Sequence, residues 1–227
     1  MKNAIQFIAA RAYSTWAGGT FCLVFALALS GCATPRGSTV LVYDFGPGAS
    51  APMPEQRTTA APLPPLALAE VAAVAALDNT AVLYRLGYAD ANLLQPYAQA
   101  RWSMPPAQLL RQQLRSVLGA RRPVMSVSEG LQFPAGSQVL RLELEEFSQL
   151  FDSAQSSRGL LRLRATLTQT APGGEVLLAQ RTVLVSSPAA TQDAAGGVRA
   201  LAAAAAAAVT QLDEWVQQTQ GAAAAKP

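Results

Sequence analysis

The 227-residue sequence contains no histidine, and this absence excludes several kinds of site. Histidine is the usual general base near neutral pH and the commonest metal ligand in proteins. Without it the chain can form neither a Ser-His-Asp triad nor a Cys-His pair, and every zinc site that uses histidine is excluded. Charged residues are also sparse, at 14% of the chain, and no basic run predicts a nucleic-acid interface.

Cysteine is nearly absent too, since the chain has only Cys22 and Cys32. Cys22 lies in an apolar run over residues 21–29, which follows a basic start that carries Lys2 and Arg11. A basic start, a short apolar segment and small residues at the cut are the parts of a secretory signal peptide. Once such a segment is removed Cys32 stands alone, so no disulfide is expected within the mature chain.

The residues around Cys32 make this interpretation more specific. Leu29, Ser30, Gly31 and Cys32 resemble a bacterial lipobox, in which the cysteine thiol receives a diacylglycerol and the chain is cut just before it. The alternatives are an ordinary signal peptide, which would need no cysteine there, and a transmembrane anchor. The apolar run is shorter than the roughly 20 residues of a spanning helix, so the lipoprotein interpretation is favoured.

This interpretation predicts a lipoprotein signal peptide over 1–31 and a mature chain of residues 32–227. Because Lys2 and Arg11 leave with the signal peptide, 15 of the 17 basic residues remain against 14 acidic ones, a net charge of +1. Ala33 and Thr34 follow the cysteine where an aspartate would favour retention in the inner membrane. We therefore expect a lipid-anchored protein at the periplasmic face of the outer membrane.

The mature chain is long enough for one domain with a sizeable core. We expect a lipidated tether over 32–38, a single domain over 39–219 that contains a proline-rich loop at 46–65, and a disordered tail at 220–227. Apolar runs and alternation predict strands at 39–43, 80–85, 93–100, 124–127, 138–145, 161–168 and 175–187. Residues 66–76 fit either a strand or a short helix.

Two long helices are predicted. The first begins near Ser103 as N-cap and ends at Gly119 in a left-handed C′ position, with Leu110, Leu114 and Leu118 on its apolar face. The second runs over about 193–218, capped by Thr191 or Asp193, and its stripe consists of Val198, Leu201, Ala205, Ala208, Val209, Leu212, Trp215 and Val216.

Together these elements predict an α+β fold: a largely antiparallel sheet with two helices packed on one face. Long strands with one polar face are typical of a sheet that is covered on one side. Across two of these strands we expect Glu143 and Glu145 to face Arg162 and Arg164, as exposed pairs that set register.

Few residues are candidates for chemistry. Glu143, Glu145 and Glu146 form a carboxylate cluster, but alternation places the first two beside arginines on the solvent face, so neither catalysis nor a cofactor is expected. Aromatic and guanidinium groups concentrate just before the first long helix, at Tyr84, Arg85, Tyr97, Arg101 and Trp102. Such residues dominate binding hot spots. The alternative, which we favour, is that Trp102 closes the end of the core and Arg85 stacks on it.

The whole mature chain resembles one known family in its order of motifs. These motifs are the lipobox, the first strand Val40-Leu-Val-Tyr-Asp-Phe-Gly-Pro47, Leu83-Tyr-Arg85, Arg101-Trp102 before Pro105, the Leu110/Leu114/Leu118 helix, Leu140-Arg-Leu-Glu-Leu-Glu-Glu-Phe147 and an alanine-rich terminal helix. In this order they are similar to the ABC-type transport auxiliary lipoproteins, the PqiC-like family. The loop after Pro47 is long for that family.

The resemblance implies a non-catalytic component of a lipid transport system across the periplasm. Its partners would be an MCE-domain protein and an ABC permease and ATPase complex, and the lipoprotein would work at the outer membrane, with a ring of identical subunits as one arrangement. The alternative from a different class is a stand-alone lipid-carrying or envelope-assembly lipoprotein with an apolar pocket between helices and sheet. An enzyme is the third hypothesis.

Overall fold

A computed structural model describes residues 39–46, 63–127 and 133–224 of the chain. These residues belong to one compact unit, Thr39–Pro227. The predicted signal peptide, Cys32, the tether and positions 47–62 of the proline-rich loop lie outside the described residues, as do 225–227.

Eight strands and three α-helices make up the described part of the chain. The strands are β1 (Leu41–Tyr43), β2 (Leu66–Ala73), β3 (Ala81–Leu86), β4 (Ala91–Trp102), β5 (Val124–Ser126), β6 (Gln138–Ser153), β7 (Ser156–Ala171) and β8 (Gly174–Pro188). The helices are α1 (Gly87–Asp90), α2 (Pro106–Gly119) and α3 (Ala194–Ala224), and a 3₁₀ turn at Ala75–Leu77 follows β2. The ambiguous segment 66–76 is therefore mostly strand.

Strand β6 organises a curled, mixed sheet. Along one edge it pairs antiparallel with β7, which pairs antiparallel with β8. Along its other edge it carries two parallel strands in succession, with β2 opposite its first half and β3 opposite its second half. β4 continues antiparallel from β3, β1 lies parallel to β4, and β5 lies parallel to β2.

The prediction of an α+β fold is thus confirmed, but that of a largely antiparallel sheet is wrong. Among the described residues, four of the seven strand pairs are parallel. The periodicity of a strand reports which of its faces is buried and carries no information on the direction of its neighbour. β3 and β6 are parallel because the intervening chain, which includes β4 and α2, returns to the same end of the sheet.

The alternating leucines of β6 and β7 are buried as the pattern predicts. Leu140, Leu142 and Leu144 face the core from β6, and Leu161, Leu163, Ala165 and Leu167 do so from β7. Gly173 and Gly174 close the turn into β8 with φ of 96° and 142°, which a residue with a side chain rarely adopts.

The predicted charge pairing across β6 and β7 is present in altered form. Glu145 forms ion pairs with both Arg162 and Arg164, while Glu143 lies opposite Arg164 in the strand register. A register shift between Leu144 and Glu146 places one extra residue in β6, which is a β-bulge. The bulge lets the Glu145 side chain reach two arginines.

Helix α2 buries its predicted leucine face, but both of its predicted ends are wrong. Pro105 occupies the N-cap position and Pro106 is the first helical residue, so Ser103 lies outside the helix. The rigid φ of proline suits this first position, where no N–H is needed. Gly119 is the last helical residue, and the chain passes on through a right-handed Ala120 instead of a left-handed glycine.

Helix α3 is capped by Asp193, whose Oδ1 accepts a hydrogen bond of 2.7 Å from the Gly196 N–H. Every residue of its predicted apolar stripe is buried. The helix contacts β6, β7, β8 and α2, and α2 also contacts β2. That both helices lie on one face of the sheet stays a prediction.

Helix α3 is longer than predicted, and its composition is as apolar as that of a membrane-spanning helix. The helix continues to Ala224, past the predicted end at Gln218 and into the predicted tail, because alanine favours helix strongly enough to carry it past Gly221. By length and composition, Ala194–Ala222 is also apolar enough to span a membrane. However, 56% of an apolar 18-residue stretch of this helix is buried within the protein, as in a core helix.

Candidate functional site

The structure brings together Tyr84 and Tyr97 from the aromatic cluster. They lie on the adjacent antiparallel strands β3 and β4, and their ring centroids are 4.6 Å apart with planes inclined by 37°. The Tyr84 hydroxyl donates a hydrogen bond of 2.9 Å to Gln95 Oε1. The Tyr97 hydroxyl donates one of 2.7 Å to Gln149 Oε1. Both phenols are therefore engaged within the protein.

Gln149 is the centre of a buried polar network that sequence reasoning missed. Its side chain is buried against Gly197 of α3, and its Nε2 donates to Ser157 Oγ at 2.7 Å. Ser157 Oγ in turn donates to Gln192 Oε1 in the segment before α3. The network links β4, β6 and β7 to the start of α3. A glutamine in a strand that carries many other polar residues gives no periodic signal that could have indicated this role.

The surroundings of Tyr97 keep its phenol protonated. Burial raises the pKa of Tyr97, and the neighbouring Tyr84 and the Asp193 carboxylate raise it further. All three effects oppose ionisation, since each disfavours a phenolate at this position. Tyr97 thus serves as a neutral hydrogen-bond donor to Gln149, not as an acid or base near neutral pH.

Arg85, which follows Tyr84 in β3, pairs with Glu146. Its Nη2 is 3.2 Å from Glu146 Oε2, and its Nη1 donates to the carbonyl oxygens of Ala91 and Asn92 at 3.3 Å. The other carboxylate oxygen of Glu146 accepts a hydrogen bond of 2.7 Å from Ser148 Oγ. Glu146 is buried, so this pair fixes β3, β4 and β6 to one another.

Trp102 and Arg101 are the remaining two residues of the cluster, and their side chains have different surroundings. Trp102 is buried, with its ring 5.4 Å from that of Phe45 in an edge-on arrangement and 5.6 Å from that of Phe147. Arg101 is partly exposed and donates to the backbone carbonyls of Tyr97 and Ala100. The five predicted residues therefore do not converge on one cleft.

A second buried ionic group joins α3 to the loop after α2. The Arg122 side chain is fully buried, and its Nη2 lies 2.7 Å from Asp213 Oδ1 while its Nη1 donates to Gln220 Oε1 at 2.8 Å. Asp213 also accepts from Gln217 and pairs with Arg121 at 3.5 Å. Burial lowers the pKa of Arg122, and the Asp213 carboxylate opposes that shift.

Asp213 occupies a buried position of α3. Asp213 is buried because the Arg122 side chain covers it from the loop after α2. Among residues 39–46, 63–127 and 133–224, no three Cys, Asp or Glu side chains come close enough to hold a metal ion. The polar groups described so far are thus committed to holding strands and helices together.

Two shallow grooves lie beside β1. One groove of about 430 Å³ lies between β1 and α3 and is lined by Val42, Tyr43, Phe45, Val198 and Ala202, among others. Another of about 390 Å³ lies on the side of β4, lined by Leu41, Tyr43, Tyr97 and the first turn of α3. Tyr43 borders both grooves. This arrangement offers shallow apolar surface and no constellation of reactive groups.

Comparison with known protein families identifies the class to which the chain belongs. Residues 43–213 match the model of the ABC-type transport auxiliary lipoprotein component. The chain therefore belongs to that family, as its sequence motifs suggested. A search of curated proteins found no significant relative.

Two solved structures share the fold. The crystal structure of protein XCC0632 from Xanthomonas campestris, of family DUF330, is similar with a TM-score of 0.61 and 20% identity, over 74% of this chain and 92% of that one. A crystal structure of an uncharacterized protein is similar with a TM-score of 0.55 and 16% identity, over 78% of this chain and 99% of that one. At these identities the likeness is one of fold.

Proposed function

We propose that this chain is a non-catalytic outer-membrane lipoprotein, acylated on Cys32, that acts as the auxiliary component of an ABC/MCE-type lipid transport system across the periplasm. The observation that carries the proposal is the family match over residues 43–213 in a chain whose Leu-Ser-Gly-Cys32 sequence precedes the matched domain. Its partners would be the MCE-domain protein and the ABC permease and ATPase complex.

The chemistry of the described residues supports a binding role. The buried carboxylates of Glu146 and Asp213 are each paired with an arginine and hydrogen-bonded by a second side chain. A catalytic acid or base needs access to a substrate and a matched pKa. Carboxylates that are covered and fully engaged are out of reach of a substrate, so a role in docking or tethering is favoured.

The stand-alone lipid carrier finds less support in the packing. The space between the long helices and the sheet is occupied by fully buried side chains, among them Leu110, Leu114, Leu201 and Leu212. A carrier would need an apolar cavity of several hundred Å³ in that place. The open grooves instead flank β1 at the surface of the domain.

The role of the anchor can be tested with two cysteine variants of the chromosomal gene. We expect Cys32→Ala to lose the acyl mass in intact mass analysis and to leave the envelope sensitive to detergent. Cys22→Ala is the matched control: it changes the other cysteine, within the leader, and should keep both the acylation and the detergent resistance. Normal resistance in a Cys32→Ala strain whose protein is not membrane-bound would contradict the proposal.

The partner class can be tested by native mass spectrometry after gentle extraction of the full lipoprotein. An auxiliary component should be recovered with the MCE-domain protein or the permease complex. A lipid carrier should instead be recovered alone, with stoichiometric phospholipid in the apolar interior. Recovery of the second kind would favour the alternative function over the one we propose.

A further inference from the structure

Strand β1 and the residue before it expose three consecutive apolar side chains. Val40 is 47% exposed, Leu41 54% and Val42 65%. We call these three residues the β1 patch. Single exposed apolar residues are normal on any protein, but an exposed run of three is unusual unless something covers it in use. Since successive residues of a strand point to opposite faces, both faces of β1 are uncovered among the described residues.

The two grooves extend this apolar surface on either side. Leu41 lines the groove toward β4, and Val42 lines the groove toward α3. The charged groups at the rims are Asp44, Asp193 and Arg199. Each of them forms a local hydrogen bond, to Gly46, Gly196 and Thr191 respectively. A surface with so little net charge fits an apolar or zwitterionic partner better than an anionic one.

The position of β1 in the chain indicates which partner this is. Seven Cα-to-Cα steps separate Cys32 from Thr39, and an extended chain spans at most about 3.6 Å per step, or about 25 Å in all. An acylated Cys32 would therefore hold the start of β1 close to the bilayer. This step rests on the proposed acylation. Among the described residues, the β1 patch is the apolar surface nearest to that anchor along the chain.

We propose that the β1 patch is a membrane-contact surface, which rests on the phospholipid bilayer that holds the acyl chains of Cys32. The contact orients the domain on the membrane, while the acyl chains supply the retention. Val40, Leu41 and Val42 bind at the level of the lipid headgroups and do not enter the hydrocarbon core.

The backbone of β1 explains why the β1 patch stays at the level of the lipid headgroups. In the part of the chain that the structure describes, β1 pairs with β4 alone, so the N–H and C=O groups of its other edge have no strand partner. Such groups cannot be left unsatisfied in hydrocarbon. The headgroup region holds water and polar lipid atoms that can bond to them, so the strand edge is compatible with the interface only.

Fluorescence quenching on the acylated full chain tests whether the β1 patch contacts the bilayer. Acylation consumes the Cys32 thiol and processing removes Cys22, so a new cysteine can be labelled selectively. Val42→Cys carries an environment-sensitive fluorophore in the patch. Leu184→Cys carries it on β8 and is the matched control, since Leu184 is an exposed apolar strand residue too, at 62%. Both proteins are reconstituted in phosphatidylcholine vesicles that contain nitroxide lipids, with the nitroxide at either the headgroup or the acyl-chain end.

We expect the headgroup nitroxide to quench the Val42 probe several-fold more strongly than it quenches the Leu184 probe. It should also quench the Val42 probe more strongly than the acyl-end nitroxide does. High salt should leave this quenching unchanged, and Val40→Asp should reduce it at least twofold without lowering the Tm. Equal quenching of the two probes, or stronger quenching by the acyl-end nitroxide, would overturn the proposal. So would a Val42 probe that is shielded from aqueous iodide yet unquenched by lipid, because a protein would then cover the patch.

Mass analysis of the same samples separates this inference from the proposed function. An acylated Cys32 with an unquenched Val42 probe would overturn the membrane contact and leave the lipoprotein assignment standing. An unmodified Cys32 in the processed chain would overturn both.

Discussion

Gly159 in β7 lies directly against the backbone of Ala200 in α3. A Cβ atom at position 159 would stand 2.6 Å from the Ala200 carbonyl carbon and 2.6 Å from the Leu201 nitrogen. Real Cβ atoms do not approach backbone this closely, so the missing side chain sets the distance between helix and sheet. The small buried residues Ala200, Ala204 and Ala208 on α3 serve the same close packing.

Substitution of Gly159 by alanine should therefore destabilise the domain. Overpacking typically costs about 1–3 kcal/mol, and here the obstacle is backbone that cannot rotate away. Gly119→Ala is the matched control, since a Cβ at 119 would meet nothing within 4 Å and the position is helical. We expect it to be neutral or to stabilise by up to about 1 kcal/mol. Urea unfolding measures both; equal free energies of unfolding would refute the close approach.

The hydrogen bond from Tyr97 to Gln149 gives a second prediction. Tyr97→Phe removes the hydroxyl donor and leaves a buried amide oxygen without that partner, which should cost about 1–2 kcal/mol of unfolding free energy. Tyr88→Phe is the control, because Tyr88 is exposed and should tolerate the same change within about 0.5 kcal/mol. Similar losses in the two variants, measured by thermal unfolding, would argue that the buried network contributes nothing.

The sequence alone predicts burial in this fold better than it predicts pairing. Leu140, Leu142 and Leu144 alternate with polar residues, and a period of two requires that they share a face. The parallel contacts of β2 and β3 with β6 could not be predicted in this way, since they join strands far apart in the chain and leave no local pattern. Topology is decided by how all the apolar faces are covered at once.

The site residues show the same limit. Alternation continued from Leu144 would place Glu146 on the leucine face, but the β-bulge between them places it opposite Arg162, on the other face of the sheet. A bulge adds one residue without any periodic signature, so the pairing of Glu146 with Arg85 could not be predicted. Arg122 and Asp213 lie 91 positions apart and belong to residue types that are mostly exposed. Only the folded arrangement of α3 and the loop after α2 brings them together.

The third prediction concerns Arg121 and Arg122, which are adjacent in the chain and both pair with Asp213. Arg122→Ala should cost about 3–5 kcal/mol, since it removes a fully buried partner and leaves Asp213 poorly compensated. Arg121→Ala removes a side chain that is 54% exposed and pairs with the same carboxylate at 3.5 Å, so it should cost less than about 1 kcal/mol.

Chemical denaturation of the two single variants checks this difference. Arg122→Met combined with Asp213→Leu removes both charges and should recover most of the stability lost by Arg122→Ala, because no unpaired buried charge remains. A double variant as unstable as Arg122→Ala would show that the loss arises from packing and not from the stranded carboxylate.

The cap of α3 links stability to pH. Hydrogen bonds from the Gly196 N–H and the Thr191 hydroxyl lower the pKa of Asp193 below its ordinary value of about 3.9. A carboxylate with a lowered pKa adds stability above the unfolded-state pKa, and this contribution is lost as the pH falls through the folded-state pKa. At about pH 7, Asp193→Ala should therefore cost about 1 kcal/mol, the usual value of an N-cap.

Urea unfolding of the wild type, Asp193→Ala and Asp193→Asn over a range of pH tests this assignment. Asparagine can still accept the Gly196 N–H bond, so Asp193→Asn should lose less than Asp193→Ala at neutral pH, and the gap between these two variants should not change with pH. The gap between wild type and Asp193→Ala should shrink from about pH 4 downward, as the carboxylate is protonated. A gap that stays constant down to about pH 2 would mean that the charge of Asp193 does not stabilise the start of α3, where the positive end of the helix dipole favours an anion.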